Sequence, residues 1–435
     1  MRWLVGWGSA ASKGAPAGAG TVHPVGAQLL WGDPDPLWAV GDWRPDEIRV
    51  IEADEGSRLA VLGCCGASDE ELRVGLFAAR GGAFRHLTAW PGSYTAVACV
   101  GRRITIAADL AGVRPVFHTP WAGGTAYATA ALPLADLIEA QLDVGHLASL
   151  LACPDAPEAL GDGTPYQGVR RVPPGHALIL REGGSREIAS YEPAVSLIAG
   201  SPAPVDPDAA VEGVRDALVE AVRARLAAPR HAAEHDFSHL DPGPVPGMGP
   251  AERRAARGGP APGIGADLSG GPASGTLALL AAGLPGMPGM MPGTLLGPGG
   301  SEAGERLLAV TFNDLATVSP TAAPELERAR SIAENPRLHH VVVAAGEEAL
   351  PYAGLDNVPL TDEPGPSLVT AERHRHRLAA GSADHLVGLG ARQVLDAHPA
   401  RLADLLLDRR RRHLLRPVAA LARADGVPAG RSVLV

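Results

Sequence analysis

The stretch of this chain whose residue types and spacing could do chemistry is Ala266-Asp267-Leu268-Ser269-Gly270-Gly271-Pro272-Ala273-Ser274-Gly275-Thr276, which runs into the apolar segment Leu277 to Ala282. Ile264 to Leu268 read as a short buried strand, Ser269-Gly270-Gly271 as a tight turn, and Ser274 as a residue placed to cap the helix that follows. Strand, glycine turn and helix start together make an anion cradle, because backbone N–H groups converge there and the helix dipole favours negative charge. Glycine lets a phosphate approach the backbone where a side chain would block it. The string spells neither Gly-x-x-x-x-Gly-Lys-Ser/Thr nor Gly-x-Gly-x-x-Gly. With 54 Gly and 40 Pro in 435 residues, a structural Gly-rich turn is the competing reading.

Composition narrows what such a cradle could serve. At 435 residues, 46% hydrophobic and 20% charged, the chain has the makings of two globular domains, each with its own core. A net charge of −10 argues against a general nucleic-acid or anionic-membrane surface. Lys13 is the only lysine, so none is available for catalysis beyond it. Cys64, Cys65, Cys99 and Cys153 form no Cys-x-x-Cys pair, which indicates buried free thiols in a reducing compartment rather than a zinc site or disulfide framework. His339-His340 and the histidines of Arg373-His374-Arg375-His376-Arg377 lack ligand spacing and read as helix or surface residues. No signal pattern and no run of 18 apolar residues is present, and the expected location is the cytoplasm.

The elements that must position the cradle follow from periodicity. Residues 1 to about 195 read mainly as β, with Ala96 to Val100 and Ile104 to Ala108 alternating about Gly101-Arg102-Arg103 and Ala177 to Leu180 following a Pro-Pro-Gly turn. Short helices are expected at Leu132 to Ala140 and Val144 to Ala152. A Pro/Ala/Ser/Gly linker at 197–207 sets the domain boundary, giving domains 1–200 and 201–435. Beyond it, Asp208 to Ala227 carries Val211, Val214, Leu218, Val222 and Leu226 on one helical face. Strands at Ile264 to Leu268, Leu307 to Phe312 and His340 to Ala344 alternate with helices from Ser274 and over Pro324 to Ala333, the order of a parallel α/β sheet. Residues 241–263 and 284–300 are Pro/Gly-rich and read as loops, the second as a lid or a plain insertion.

In order along the chain, the landmarks resemble the asparagine-synthetase superfamily. Ala108-Asp109-Leu110-Ala111-Gly112-Val113-Arg114-Pro115-Val116-Phe117 is similar to its Arg-Asp-x-x-Gly-x-Arg/Lys-Pro-Leu-Tyr segment, and Tyr166-Gln167-Gly168-Val169-Arg170-Arg171-Val172-Pro173-Pro174-Gly175-His176 to its Phe-x-Gly-Ile-x-x-Leu-Pro-Pro-Gly-His. Ser269-Gly270-Gly271 resembles the Ser-Gly-Gly-x-Asp-Ser pyrophosphate loop, and Leu386-Val387-Gly388-Leu389-Gly390-Ala391-Arg392-Gln393 stands where the family has Leu-Ser-Gly-Asp-Gly-Ala-Asp-Glu. The resemblance implies an N-terminal Ntn-hydrolase-like, glutaminase-type β-sandwich domain followed by an adenine-nucleotide α-hydrolase-like parallel α/β domain that ends early, at Val435. It is strongest toward actinobacterial lasso-peptide cyclases. The activity so implied is ATP-dependent isopeptide-bond formation by carboxylate adenylation on a precursor peptide, with a leader protease and a leader-recognition protein as associates. Asparagine or β-lactam synthesis, and a non-catalytic nucleotide- or peptide-binding homologue, are the alternatives.

By the same resemblance, Leu268, Ser269, Gly270, Gly271, Ser274, Val387 and Gly388 contact ATP, and Asp362 and Glu363 either face the substrate amine or form a turn. The family's N-terminal Cys nucleophile is replaced by Arg2, which implies a glutaminase fold without its chemistry. Ala273 and Arg392-Gln393 replace carboxylates that hold Mg2+ in the family, leaving Asp267, Asp314 and Asp384 as the candidate ligands.

Overall fold

The computed structural model describes residues 2–8, 23–43, 47–54, 56–152, 160–191, 206–227, 264–284, 307–316, 322–350, 353, 372–373, 376, 384–388, 390–391, 407, 409 and 418. The first half is two six-stranded antiparallel sheets. One contains β1 (Trp3–Gly8), β2 (Ala27–Trp31), β3 (Leu37–Val40), β8 (Phe117–Trp121), β9 (Gly124–Ala128) and β10 (Arg170–Arg171), in the order β10-β8-β9-β1-β3-β2. The other contains β4 (Ile48–Asp54), β5 (Ser57–Cys65), β6 (Gly92–Val100), β7 (Arg103–Ala107), β11 (His176–Leu180) and β12 (Arg186–Ser190), in the order β12-β11-β7-β6-β5-β4.

Strand β5 shows why the sheets stack. Its period-2 alternation sends Ala60 and Leu62 into one apolar cluster with Leu4, Leu37 and Tyr127 of the facing sheet, and Leu59 and Val61 into another. That second cluster is closed by Leu72, Leu76 and Ala79 of helix α1 (Asp69–Arg80). The helix begins with a reciprocal capping box in which Ser68 accepts from the Glu71 N–H and Glu71 accepts from the Ser68 N–H. The outer face of the other sheet packs Val5, Phe117 and Ala126 against Leu134 and Ala135 of α2 (Leu132–Leu137). Helix α3 (Val144–Ala152) follows at its expected place, whereas α2 stops three residues short of Ala140.

Helix α4 (Pro207–Ala227) forms as its periodicity requires, yet only part of the apolar face is covered: Val222 is buried, while Val211 and Val214 are exposed. The parallel sheet follows. It comprises β13 (Ile264–Asp267), β14 (Leu307–Asp314), β15 (Leu338–Ala345) and β16 (Asp384–Leu386), in the order β15-β14-β13-β16. Helices α5 (Pro272–Gly283) and α6 (Ala322–Ala333) connect β13 to β14 and β14 to β15. Leu268, Ala278, Ala281, Leu307 and Ala329 share one core there. The whole is a mixed α/β architecture of antiparallel and parallel sheets. Among the described residues no helix is long and apolar enough to cross a membrane. The 197–207 linker, apart from its last two residues, and both Pro/Gly-rich loops, apart from Leu284, lie outside the described residues.

Candidate functional site

Strand β13 has β14 on one side and β16 on the other, so the chain order reverses between β13 and β16. Open parallel sheets bind ligands at the carboxyl ends of the strands flanking such a reversal. The 268–271 turn leaves β13 there, and Val387 and Gly388 leave β16 beside it.

The turn is locked from several directions. Leu268 is fully buried, its N–H donates to the Val310 carbonyl at 2.8 Å, and its own carbonyl accepts from Thr311 Oγ1 at 2.5 Å. Thr311 has one hydroxyl proton, so the second contact, 2.7 Å to His340 Nε2, runs the other way: His340 donates and Thr311 accepts. Burial, then the Arg330 and His339 charges, lower the His340 pKa. The Ser269 N–H donates to Ser274 Oγ at 3.1 Å, the two serine hydroxyls meet at 2.9 Å, and Ser274 Oγ also reaches the Gly271 carbonyl at 3.3 Å.

One sequence expectation changes here and another gains a structural role. Leu268, expected beside a ligand, is core with both backbone groups hydrogen-bonded. Ser274 is not the cap. The helix starts two residues earlier, with Gly271 as N-cap and Pro272 in the first turn, and the Ser274 hydroxyl ties the turn together from inside. Gly270 does sit at φ +79, but the tight neighbour is α6: a Cβ would lie 2.1 Å from the Glu325 carbonyl oxygen. Packing against the helix demands this glycine before any phosphate does.

What remains available is the row of amides at the start of α5. No described group accepts from the N–H of Gly270, Gly271, Ala273 or Ser274, as expected of a helix's first turn. Gly388 faces them. A Cβ on it would lie 3.0 Å from Ser274 N and 3.1 Å from Ala273 Cβ, so a side chain there would crowd the first turn of the helix. Val387 beside it is exposed. Arg328 of α6 donates from Nε to the Gly270 carbonyl at 3.0 Å, which holds a guanidinium over the turn. Sequence reasoning missed Arg328, because it lies one strand and one helix beyond the turn and no spacing rule links them.

The three residues expected to hold magnesium occupy separate places along the strands. Asp267 is buried and hydrogen-bonded to His385 Nε2 at 2.9 Å. Asp314 lies four residues past Val310, the partner of Asp267 in the ladder, so it stands about 13 Å further along the sheet. It pairs with Arg373 at 2.7 Å, and that guanidinium also stacks on Phe312. Asp384 pairs with Ile264 at the opposite end of the strands. Among the described residues no group of three or more His, Cys, Asp or Glu is arranged to hold a metal. Asp362, Glu363, Arg392 and Gln393 lie outside the described residues.

In the first half, Arg2 occupies the entry to β1. It pairs with Glu47 and stacks 5.4 Å over Trp43. Cys64, Cys65 and Cys99 form no disulfide among the described residues, and burial pushes the pKa of the last two up.

No family model and no curated protein matches the chain. Among solved structures it is similar to glutamine phosphoribosylpyrophosphate amidotransferase from B. subtilis, complexed with ADP and GMP, at 12% identity over 81% of this chain and 76% of that one, with a TM-score of 0.24. It is also similar to a structure of the allosteric regulatory enzyme of purine biosynthesis, at 14% identity over 81% and 76%, with a TM-score of 0.23. At such scores the likenesses carry no argument about activity.

Proposed function

We propose that the first turn of α5 binds the phosphates of ATP and that the protein uses ATP to form an amide bond, closing an isopeptide ring in a precursor peptide. The observation that carries the nucleotide reading is the row of amides at Gly270, Gly271, Ala273 and Ser274, which donate to no described group, at the reversal of strand order, with Gly388 packed close beside them. Those amides and the Arg328 guanidinium would hold phosphate oxygens, combining helix-dipole and charge-assisted hydrogen bonding. ATP, when bound, supplies the leaving group that activates a carboxylate. The protein's own part is to hold the phosphate end rigidly and to keep amine and carboxylate of one peptide together, which removes the entropy of their encounter.

A magnesium site does not fit the described carboxylates, and no step is drawn through one. That misfit favours a second reading, a protein that binds a nucleotide or peptide without turning it over. Calorimetric titration of ATP into the full chain, followed by mass analysis of a leader-free peptide incubated with ATP, separates the two. Binding together with loss of one water supports the ligase. Binding alone supports the second reading. No binding by a protein whose fold is intact removes both.

A further inference from the structure

A second site lies in the first half, far in sequence from the amide row and independent of the nucleotide reading. Between the loop after α1, strands β6 and β7, and the turn at 109–114 is a cavity of about 130 Å3. One wall is apolar, made by Leu87, Trp90, Ala96 and Ala107. The other carries Ser93, Tyr94 and Arg114. Arg114 is held firmly: its Nε and Nη2 donate to Ser93 Oγ at 3.0 and 2.7 Å, and Nη2 also reaches the Ser93 carbonyl at 3.4 Å. Its Nη1 has no partner among the described residues.

Counting protons shows what the polar wall wants. Ser93 Oγ accepts twice from Arg114 and donates to no described group. The Tyr94 hydroxyl accepts from the Trp90 N–H at 2.9 Å and likewise keeps its own proton. The nearest carboxylate, Asp109, has one oxygen on the Val113 N–H at 3.0 Å and the other on the Arg114 N–H at 2.7 Å. Three donors of the lining thus lack a described acceptor, and the carboxylate that also lines the cavity, Asp109, has each oxygen on a backbone N–H. Burial lowers the Arg114 pKa, the nearby Cys64 and Asp109 raise it, and the Arg2 and Arg225 charges lower it to a lesser extent.

We propose that this cavity binds a small carboxylate, its oxygens on Arg114, Ser93 and Tyr94 and its short apolar tail against Leu87 and Trp90. The volume is just under the roughly 150 Å3 known to hold a benzene-sized guest, which limits the ligand to a few carbons. The same chemistry is offered by a free short-chain acid and by a peptide's C-terminal residue.

The test uses the full chain and four probes in ligand-observed NMR titrations: propanoate, propanamide, inorganic phosphate, and N-acetyl-dialanine with a free C-terminus. Propanoate is expected to bind saturably, and propanamide, the neutral isostere, about tenfold or more weakly, as a lost charge-assisted hydrogen bond implies. Arg114→Gln is expected to produce the same loss, and Arg114→Lys to recover part of it because the charge returns without the fork. Tyr94→Phe, which leaves Arg114 in place, is expected to weaken propanoate by a smaller factor and serves if Arg114→Gln fails to fold. Tighter binding of the dipeptide than of propanoate assigns the carboxylate to a peptide end; the reverse order assigns it to a free acid. Equal binding of propanamide and propanoate, tighter binding of phosphate than of propanoate, or no saturable binding of any probe overturns the proposal.

Discussion

His118 is a residue whose chemistry departs far from its ordinary behaviour. It lies in β8, opposite Tyr127 of β9 and Arg170 of β10, is 2% exposed, and has no hydrogen-bond partner on either ring nitrogen. Burial first, then the Arg186 charge, push its pKa down to about 4, with Arg170 adding to the shift and Asp162 opposing it. The unfolded chain takes up this proton near pH 6.5 and the folded chain does not until about 4. The contribution is therefore complete above the unfolded value and is lost as pH falls from about 6.5 to 4, amounting to about 3 kcal/mol over the whole interval. Urea melts at pH 7 and pH 4.5 should show the wild-type losing stability and His118→Phe losing measurably less. Equal losses would place the acid sensitivity elsewhere.

The two glycines at the amide row make a sharper pair of variants. Gly270→Ala puts a side chain at positive φ and within 2.1 Å of the Glu325 carbonyl oxygen, so it should destabilise the parallel-sheet half whether or not a nucleotide binds. Gly388→Ala needs a shift of only a few tenths of an ångström to relieve its 3.0 Å contact, yet it covers the Ser274 amide. It should keep its melting behaviour close to wild type while weakening ATP binding. Melting curves and ATP titrations on both proteins check this. Full ATP affinity in Gly388→Ala would remove the phosphate from that amide.

Elements show where sequence carried information and where it did not. The β6–β7 hairpin, β11 after its Pro-Pro-Gly turn, and the alternation from β13 to β15 were all legible, because period-2 runs bounded by turn residues have few other solutions. Helix α1 does not stand out in the sequence despite the Ser68-x-x-Glu71 signature, since the preceding apolar run of β5 dominates that window. The next helix starts at Pro272 rather than at the serine that suggests a cap, and the proline two residues before that serine is the better sign. The Thr311 bridge was beyond sequence altogether: nothing in spacing tells that β14 hands a hydroxyl to the turn leaving β13. Thr311→Val is isosteric but leaves the Leu268 carbonyl without its side-chain donor and His340 without its acceptor. A loss of about 1–3 kcal/mol in the parallel-sheet half is expected. It would be read by hydrogen exchange of the β13 and β14 amides. Unchanged protection there would show that the bridge does not anchor the turn.

At the scale of the whole molecule, the placement of Asp267, Asp314 and Asp384 explains why candidate ligands drawn from sequence did not assemble. Each is acidic and near a landmark, but strand direction sets which end of the sheet a residue occupies, and only the register reveals it. The reversal of strand order at β13 is likewise a property of the assembled sheet. The same assembly divides the apolar interior. Leu62 belongs to the cluster between the antiparallel sheets, and Leu307 to the cluster under the parallel sheet, each at most 1% exposed. No residue is shared between those clusters. A buried Leu→Ala change removes transfer energy and leaves a cavity, costing about 2–5 kcal/mol locally. If the two interiors fold as separate units, calorimetry should resolve two transitions. Leu62→Ala should then lower one, Leu307→Ala the other, and added ATP should raise only the transition that Leu307→Ala lowers, since a ligand stabilises the unit it binds. A single transition shifted alike by both substitutions would mean that the two halves unfold as one.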